Sequence, residues 1–206
     1  MLCLCVCVCV CVCVCVCACA CLRACVRVCV CACVHSGAGP VGEEAISNNP
    51  NDVTILWRAG CLLYAFNSGE KQARGRECVE RAARNDTVVG RVAQAYRMVW
   101  GRREDEPGAA RLLGELVATT ASPDAQHLLG HCYDNGWGVQ ESEAEAVRLY
   151  ALAAEQGHAL AQYALGWCYH NGRGGLQRDL VKARQLWQQA AAQGHTQAIG
   201  MMAAMK

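Results

Sequence analysis

The residues best suited to chemistry in this chain of 206 residues are its 6 histidines and 18 cysteines. His127 and His131 lie four apart, so a helix would set both imidazoles on one face, a spacing that can ligate zinc. Between them stand Leu128, Leu129 and Gly130, with no acid to act as the general base of a zinc peptidase. His131, Cys132 and His170 could converge from neighbouring segments, but Cys132 falls on an apolar stripe and reads as a small buried hydrophobe. Cys168 holds the equivalent place further on and reads the same way. His158 and His195 each follow a glycine at a helix end and read as turn residues. No nucleophile has a paired base. Gly172-Arg173-Gly174-Gly175 lacks the lysine and the strand-before-helix setting of a phosphate loop, so it reads as an inter-helix turn. No catalytic residue, metal ligand or cofactor is therefore expected. The alternative is an enzyme, metal-dependent or hydrolytic, that uses the histidine-bearing helix face.

The cysteines are unevenly spread. Fourteen lie in residues 1–34, where Cys takes every second position from Cys3 to Cys17 and the spacers from Cys5 onward are all Val. Every residue of that run can be encoded by a TG dinucleotide repeat, so it reads as a low-complexity, microsatellite-like translation. Residues 1–22 carry no charged side chain and as a helix would span roughly 33 Å, enough to cross a bilayer. The flanking charges, Arg23 and Arg27, follow the run, so an anchor would leave the rest of the chain in the cytosol. A period of two also suits an aggregation-prone strand. C-x-C spacing permits metal–thiolate binding, although valine spacers offer no polar second layer. The favoured location is the cytoplasm, with membrane anchoring as the alternative. Residues 35–51, rich in Gly, Asn and Pro, read as a linker.

Beyond residue 34 there are 17 basic and 18 acidic residues, without the basic footprint of a nucleic-acid binder. Abundant Ala, Leu, Gln and Arg with a single Phe favour helix. Residues 124–158 and 159–195 repeat one another, with 17 identities in 35 aligned positions when Asp124–His158 is set on Leu160–His195 and Gly175 is an insertion. Each copy holds two stripes at helical spacing. The first runs Ala125, Leu128, Leu129, Cys132, Tyr133, matched by Ala161, Ala164, Leu165, Cys168, Tyr169. The second runs Ala146, Leu149, Tyr150, Ala153, Ala154, matched by Ala183, Leu186, Trp187, Ala190, Ala191. Tyr150 and Trp187 read as core, with Gly130 and Gly166 letting the backbones approach beside them. Fainter hairpins precede these copies in residues 52–123, where Tyr64 and Tyr96, like Tyr133 and Tyr169, are followed five residues later by glycine. Residues 196–206 read as a capping helix. A period near 36 residues means stacked supersecondary units.

These two copies resemble Sel1-like repeats, relatives of the tetratricopeptide repeat. The motif A-x-x-x-L-G-x-x-Y-x-x-G-x-G-V stands here as Ala125 to Val139, followed by Ala146 to Tyr150 and Ala153 to Gly157. The resemblance implies an all-α fold, a right-handed α-solenoid of about four helical hairpins plus a C-terminal capping helix. It also implies a non-catalytic scaffold or adaptor that holds a protein or peptide in the concave groove, with no nucleic acid, and with a membrane only if residues 1–22 act as an anchor. In such arrays the first helix of each hairpin lines the groove. The residues expected to point outward there are His127, His131, Asp134, Asn135, Tyr163, Trp167, His170 and Asn171, with Trp167 as the anchor. Secreted bacterial members bridge the two helices of a unit by a disulfide; this chain has no second cysteine in either unit.

Overall fold

The computed structural model describes residues 49–64, 69–101 and 105–204. The expectations for residues 1–34, and most of the 35–51 linker, lie outside that range. The described residues form helices α1 (Val53–Tyr64), α2 (Gly69–Ala83), α3 (Val88–Tyr96), α4 (Glu106–Thr120), α5 (Pro123–Asn135), α6 (Glu143–Glu155), α7 (Ala159–Asn171), α8 (Leu180–Ala192) and α9 (Thr196–Ala204). A π-helical turn, Arg97–Gly101, extends α3. Among the described residues there is no strand. Each helix packs on its sequence neighbours, and the first helices also touch along the stack, α1 on α3 and α3 on α5. The result is an α-solenoid of four hairpins closed by α9.

The starts of the helices explain why the chain breaks where it does. Thr87, Asp105, Ser122, Ser142, His158 and Asp179 each place a side-chain acceptor on a free backbone N–H of the helix that follows. At α9, His195 does the same, with Nδ1 accepting from the Ala198 N–H at 3.2 Å. A cap of this kind stabilises a helix by about 1 kcal/mol. The equivalent histidines 158 and 195 are therefore more than turn residues: their rings start the next unit.

The apolar stripes close three linked cores. Leu56, Val79, Val92, Leu113, Leu116 and Leu129 lie in the largest, which joins α1 to α5. Ala146, Tyr150, Ala153, Ala161, Leu165 and Cys168 bind α6 to α7. Ala183, Trp187, Ala190 and Ala198 bind α8 to α9. Tyr150 is 1% exposed and Trp187 is fully buried, as their pattern predicts. Both owe their seats to a missing side chain. A Cβ on Gly130 would stand 2.6 Å from the Tyr150 ring, and one on Gly166 2.6 Å from Trp187 Nε1.

Polar identities between the copies have equally specific causes. Gln156 Nε2 donates to Gln126 Oε1 at 2.7 Å and to the Ala121 carbonyl at 3.1 Å. Gln193 repeats this on Gln162 Oε1 at 2.8 Å and the Gly157 carbonyl at 2.9 Å. Buried Gln126 and Gln162 thus keep an amide partner, which a buried polar group needs. Gly138 and Gly174 have φ of 69° and 64°. At Gly138 a Cβ would collide with the Glu106 carbonyl, and at Gly174 it would come 2.6 Å from the Glu143 oxygen. The loop inside each of the last two hairpins therefore rests directly on the first residue of the preceding unit's second helix, an approach only glycine permits.

Candidate interaction face

The face carried by the first helices is lined by a continuous run of rings. Trp57 of α1 meets Tyr96 edge-on at 5.3 Å, and Tyr96 stacks on Trp100 at 4.8 Å. Trp100 abuts Trp137 at 5.1 Å and His131 at 6.0 Å, both near 90°. His131 stands 4.8 Å from His127, and His127 lies 5.0 Å from His158. Offset and perpendicular contacts of this kind are the favoured aromatic geometries. On α7 the run continues differently: Tyr163 stacks near His195 at 4.7 Å, and His170 lies 5.5 Å from Trp187.

Asp124 ties three units together. Trp57 Nε1 donates to its Oδ1 at 3.2 Å across 67 residues of sequence, and His158 Nε2 reaches the same oxygen at 3.3 Å. Because His158 Nδ1 accepts from the Ala161 N–H, its Nε2 is the donor. Burial pushes the Asp124 carboxyl upward, but the hydrogen bonds from His158 and Trp57 outweigh it and the pKa is lowered. The histidines move the other way for a base. Burial, with His131, His158 and His195 around it, holds His127 well below the ordinary imidazole value. Burial lowers His131 against the pull of Asp134, and burial with His158 lowers His195.

Of the residues expected to face outward, Trp167 does so clearly, at 40% exposure. Asn135 and Asn171 are also exposed, while His131, Asp134, Tyr163 and His170 are half-buried. His127 departs from the expectation. It is 6% exposed, enclosed by His131, Tyr150 and His158. Helical spacing could not show this, because two of those rings come from α6 and from the loop after it. The asparagine amides are committed too: Asn135 Nδ2 donates to the His131 carbonyl and Asn171 Nδ2 to the Trp167 carbonyl, both at 2.9 Å. Each closes its own helix with one amide N–H, and the Asn171 Oδ1 also lies 3.4 Å from His170 Nδ1.

Arg173 is the residue that sequence reasoning missed. Its guanidinium lies 5.3 Å from the Trp167 ring centroid. It pairs with two acids of the preceding unit, Asp134 at 3.2 Å and Glu143 at 2.6 Å. Hydrogen bonds from Gly174 N–H and Arg173 lower the Glu143 carboxyl, and Glu143 raises Arg173 in turn. The available signal was an arginine in the repeat position held by Trp137. Chemistry of other kinds finds little purchase here. Burial raises the Cys132 thiol to about 12 and the Cys168 thiol to about 11, so neither is a ready thiolate. Among the described residues no group of three or more His, Cys, Asp or Glu is placed to hold a metal ion. No described helix is long and apolar enough to cross a membrane.

Comparison with known families matches residues 123–158 and 159–195 to the Sel1 repeat. A Sel1 repeat protein from Oxalobacter formigenes is 30% identical, with 64% of this chain and 95% of that one covered and a TM-score of 0.49. A protective antigen of uropathogenic Escherichia coli with an SLR fold is 26% identical, with a TM-score of 0.53. That match covers 77% of this chain and 34% of the antigen, so the chain spans about a third of its length. No match was found among curated proteins. Two full repeats, their seams and their stacking have one explanation: the chain belongs to the Sel1 repeat family.

Proposed function

We propose that this chain is a non-catalytic scaffold that holds an extended segment of another protein in the groove of its first helices, with Trp167 as the anchor. Sel1 repeat proteins are commonly protein-interaction scaffolds and typically non-catalytic. The observation that carries the reading is the state of Trp167. It is a large aromatic at 40% exposure, in a position the core does not need, held from one side by Arg173. Rigid aromatics beside charged and polar groups are the residue mixture of interface hot spots. Around it, Tyr163, His131, Asp134 and His170 supply flanking contacts, and the exposed amides of Asn135 and Asn171 supply polar ones. His127 backs His131 from beneath rather than touching the ligand.

Selection of a displayed peptide library on the full chain, followed by Kd measurement, tests the reading. Trp167→Ala should weaken the selected peptides by at least about 1–2 kcal/mol, roughly tenfold, while shifting the melting temperature little. Arg148→Ala, on the exposed side of α6, should leave binding unchanged. A Trp167→Ala variant that binds as well as the parent, or that loses several kcal/mol of stability, overturns the assignment.

A further inference from the structure

A second surface lies away from the Trp167 groove, at the far end of the array. Charge is strongly segregated along the chain. Residues 49–104 hold ten Lys and Arg against six Asp and Glu, whereas residues 105–179 hold four against ten. Two adjoining shallow clefts open on this basic half where the end of α2 meets α3. One is lined by Glu80, Ala83, Arg84, Gln94 and Arg97, the other by Asn51, Leu56, Arg81, Arg84 and Asn85. Arg84 belongs to both.

The basic end of α2 has an ordinary role, since a cation near a helix C-terminus complements the helix dipole. Arg81 fills it: it lies in the last turn and hydrogen-bonds the Pro50 carbonyl. That role does not extend to the other two. Arg84 follows the helix, and Arg97 comes from the turn after α3, yet both line one cleft. Among the described residues neither is in an ion pair, in contrast to Arg91, which pairs with Glu115 at 3.2 Å. Arg84 and Arg97, with Arg81 in the adjoining cleft, outnumber Glu80, the one acid of the lining, so the surface carries a net positive charge that an added anion complements. Their planar forks suit carboxylates in particular, and Asn51 and Asn85 add amide groups beside them.

We propose that this cleft docks a carboxylate-rich segment of a partner protein, with Arg84 and Arg97 as its bidentate clamps. The inference does not rest on Trp167, whose helix α7 contributes nothing to this cleft. A nucleic acid fits the cleft less well. Glu80 shares the lining with Arg84 and Arg97, and the lining residues include no aromatic side chain on which a base could stack.

Fluorescence anisotropy with a labelled deca-glutamate peptide and the full chain, in reducing buffer at about 150 mM salt, is the test. The expected result is saturable binding that Arg84→Gln/Arg97→Gln weakens at least about tenfold and Arg84→Lys/Arg97→Lys weakens less, because lysine keeps the charge and loses the fork. Arg111→Gln/Lys182→Gln removes the same charge elsewhere and should leave affinity nearly unchanged. Far-ultraviolet circular dichroism of each variant shows that the fold is kept. Equal losses in the two Gln pairs, no binding by the parent, or tighter binding of a poly-uridine decamer than of the peptide each overturn the proposal.

Discussion

Residues 124–158 and 159–195 share their scaffolding and differ in what they display. The shared loop and polar positions are those that touch backbone, the loop glycines Gly138 and Gly174, the glutamines Gln156 and Gln193 and the capping histidines, while the seam glycines Gly130 and Gly166 are shared because a large ring lies against each. The positions on the groove side diverge. His127 faces Tyr163 across the repeat alignment, His131 faces Trp167, Asp134 faces His170, and Trp137 faces Arg173. A carbonyl cannot change with sequence, so the residues that meet one are constrained to one answer. Side chains that look outward, or that meet another variable side chain, are free to differ. Stacked units can therefore keep one fold while presenting several chemistries in a row.

The second-helix aromatics give the largest test of this equivalence. Trp187→Ala should cost about 3–5 kcal/mol, because it empties a fully buried ring site against Gly166. The loss should appear in the denaturation midpoint. A loss below about 1 kcal/mol would mean that the two C-terminal helices are not cooperatively joined to the rest.

A middle-sized effect separates the copies by charge. His127 has Tyr163 as its counterpart, so one unit titrates where the other does not. The folded-state pKa values of His127, His131 and His195 lie below the ordinary imidazole value of about 6.5. The unfolded chain thus binds more protons than the folded one below that value. This histidine contribution is fully present above pH of about 6.5 and is lost as pH falls below it. Asp124, with its lowered pKa, holds its own contribution until the carboxylate range is reached. The melting temperature should therefore fall between neutral pH and the onset of carboxylate protonation. His127→Gln should flatten that fall; an unchanged slope would show that its ring already reaches solvent.

The smallest effect is of opposite sign. Trp187 Nε1 donates to the Tyr163 carbonyl at 3.1 Å, whereas the Tyr150 hydroxyl is buried without a partner. A buried hydroxyl left unpaired is a cost that phenylalanine removes. Tyr150→Phe should leave stability unchanged or raise it by up to about 1 kcal/mol, measured by chemical denaturation. A clear loss would show that the hydroxyl is bonded in solution.

Much of the fold was legible because its determinants are local. The stripes at three- and four-residue spacing mark the hairpins, and the large residue recurring at 150 and 187 marks the core. The small residue recurring at 130 and 166 marks the seam. What escaped the sequence depends on partners from distant segments. Trp57 is 4% exposed because Asp124, 67 residues away, takes its indole N–H. His127 is covered by rings from a different helix and loop. Arg173 reads as a turn residue until the preceding unit brings Asp134 to it. The candidate groove was therefore legible as a set of positions, and only partly as a set of exposed groups.

The loop glycines also give the array a direction. Glu106 and Glu143, which open α4 and α6, are each clasped by the loop of the following unit. The opening of α8 has no such clasp among the described residues, and Leu180 and Val181 there are 43% and 68% exposed. Under mechanical load, release of one unit removes the latch from the unit before it. Loss of the last hairpin would free Glu143, and loss of the third would then free Glu106, so the two latches open in order from the α8 and α9 end.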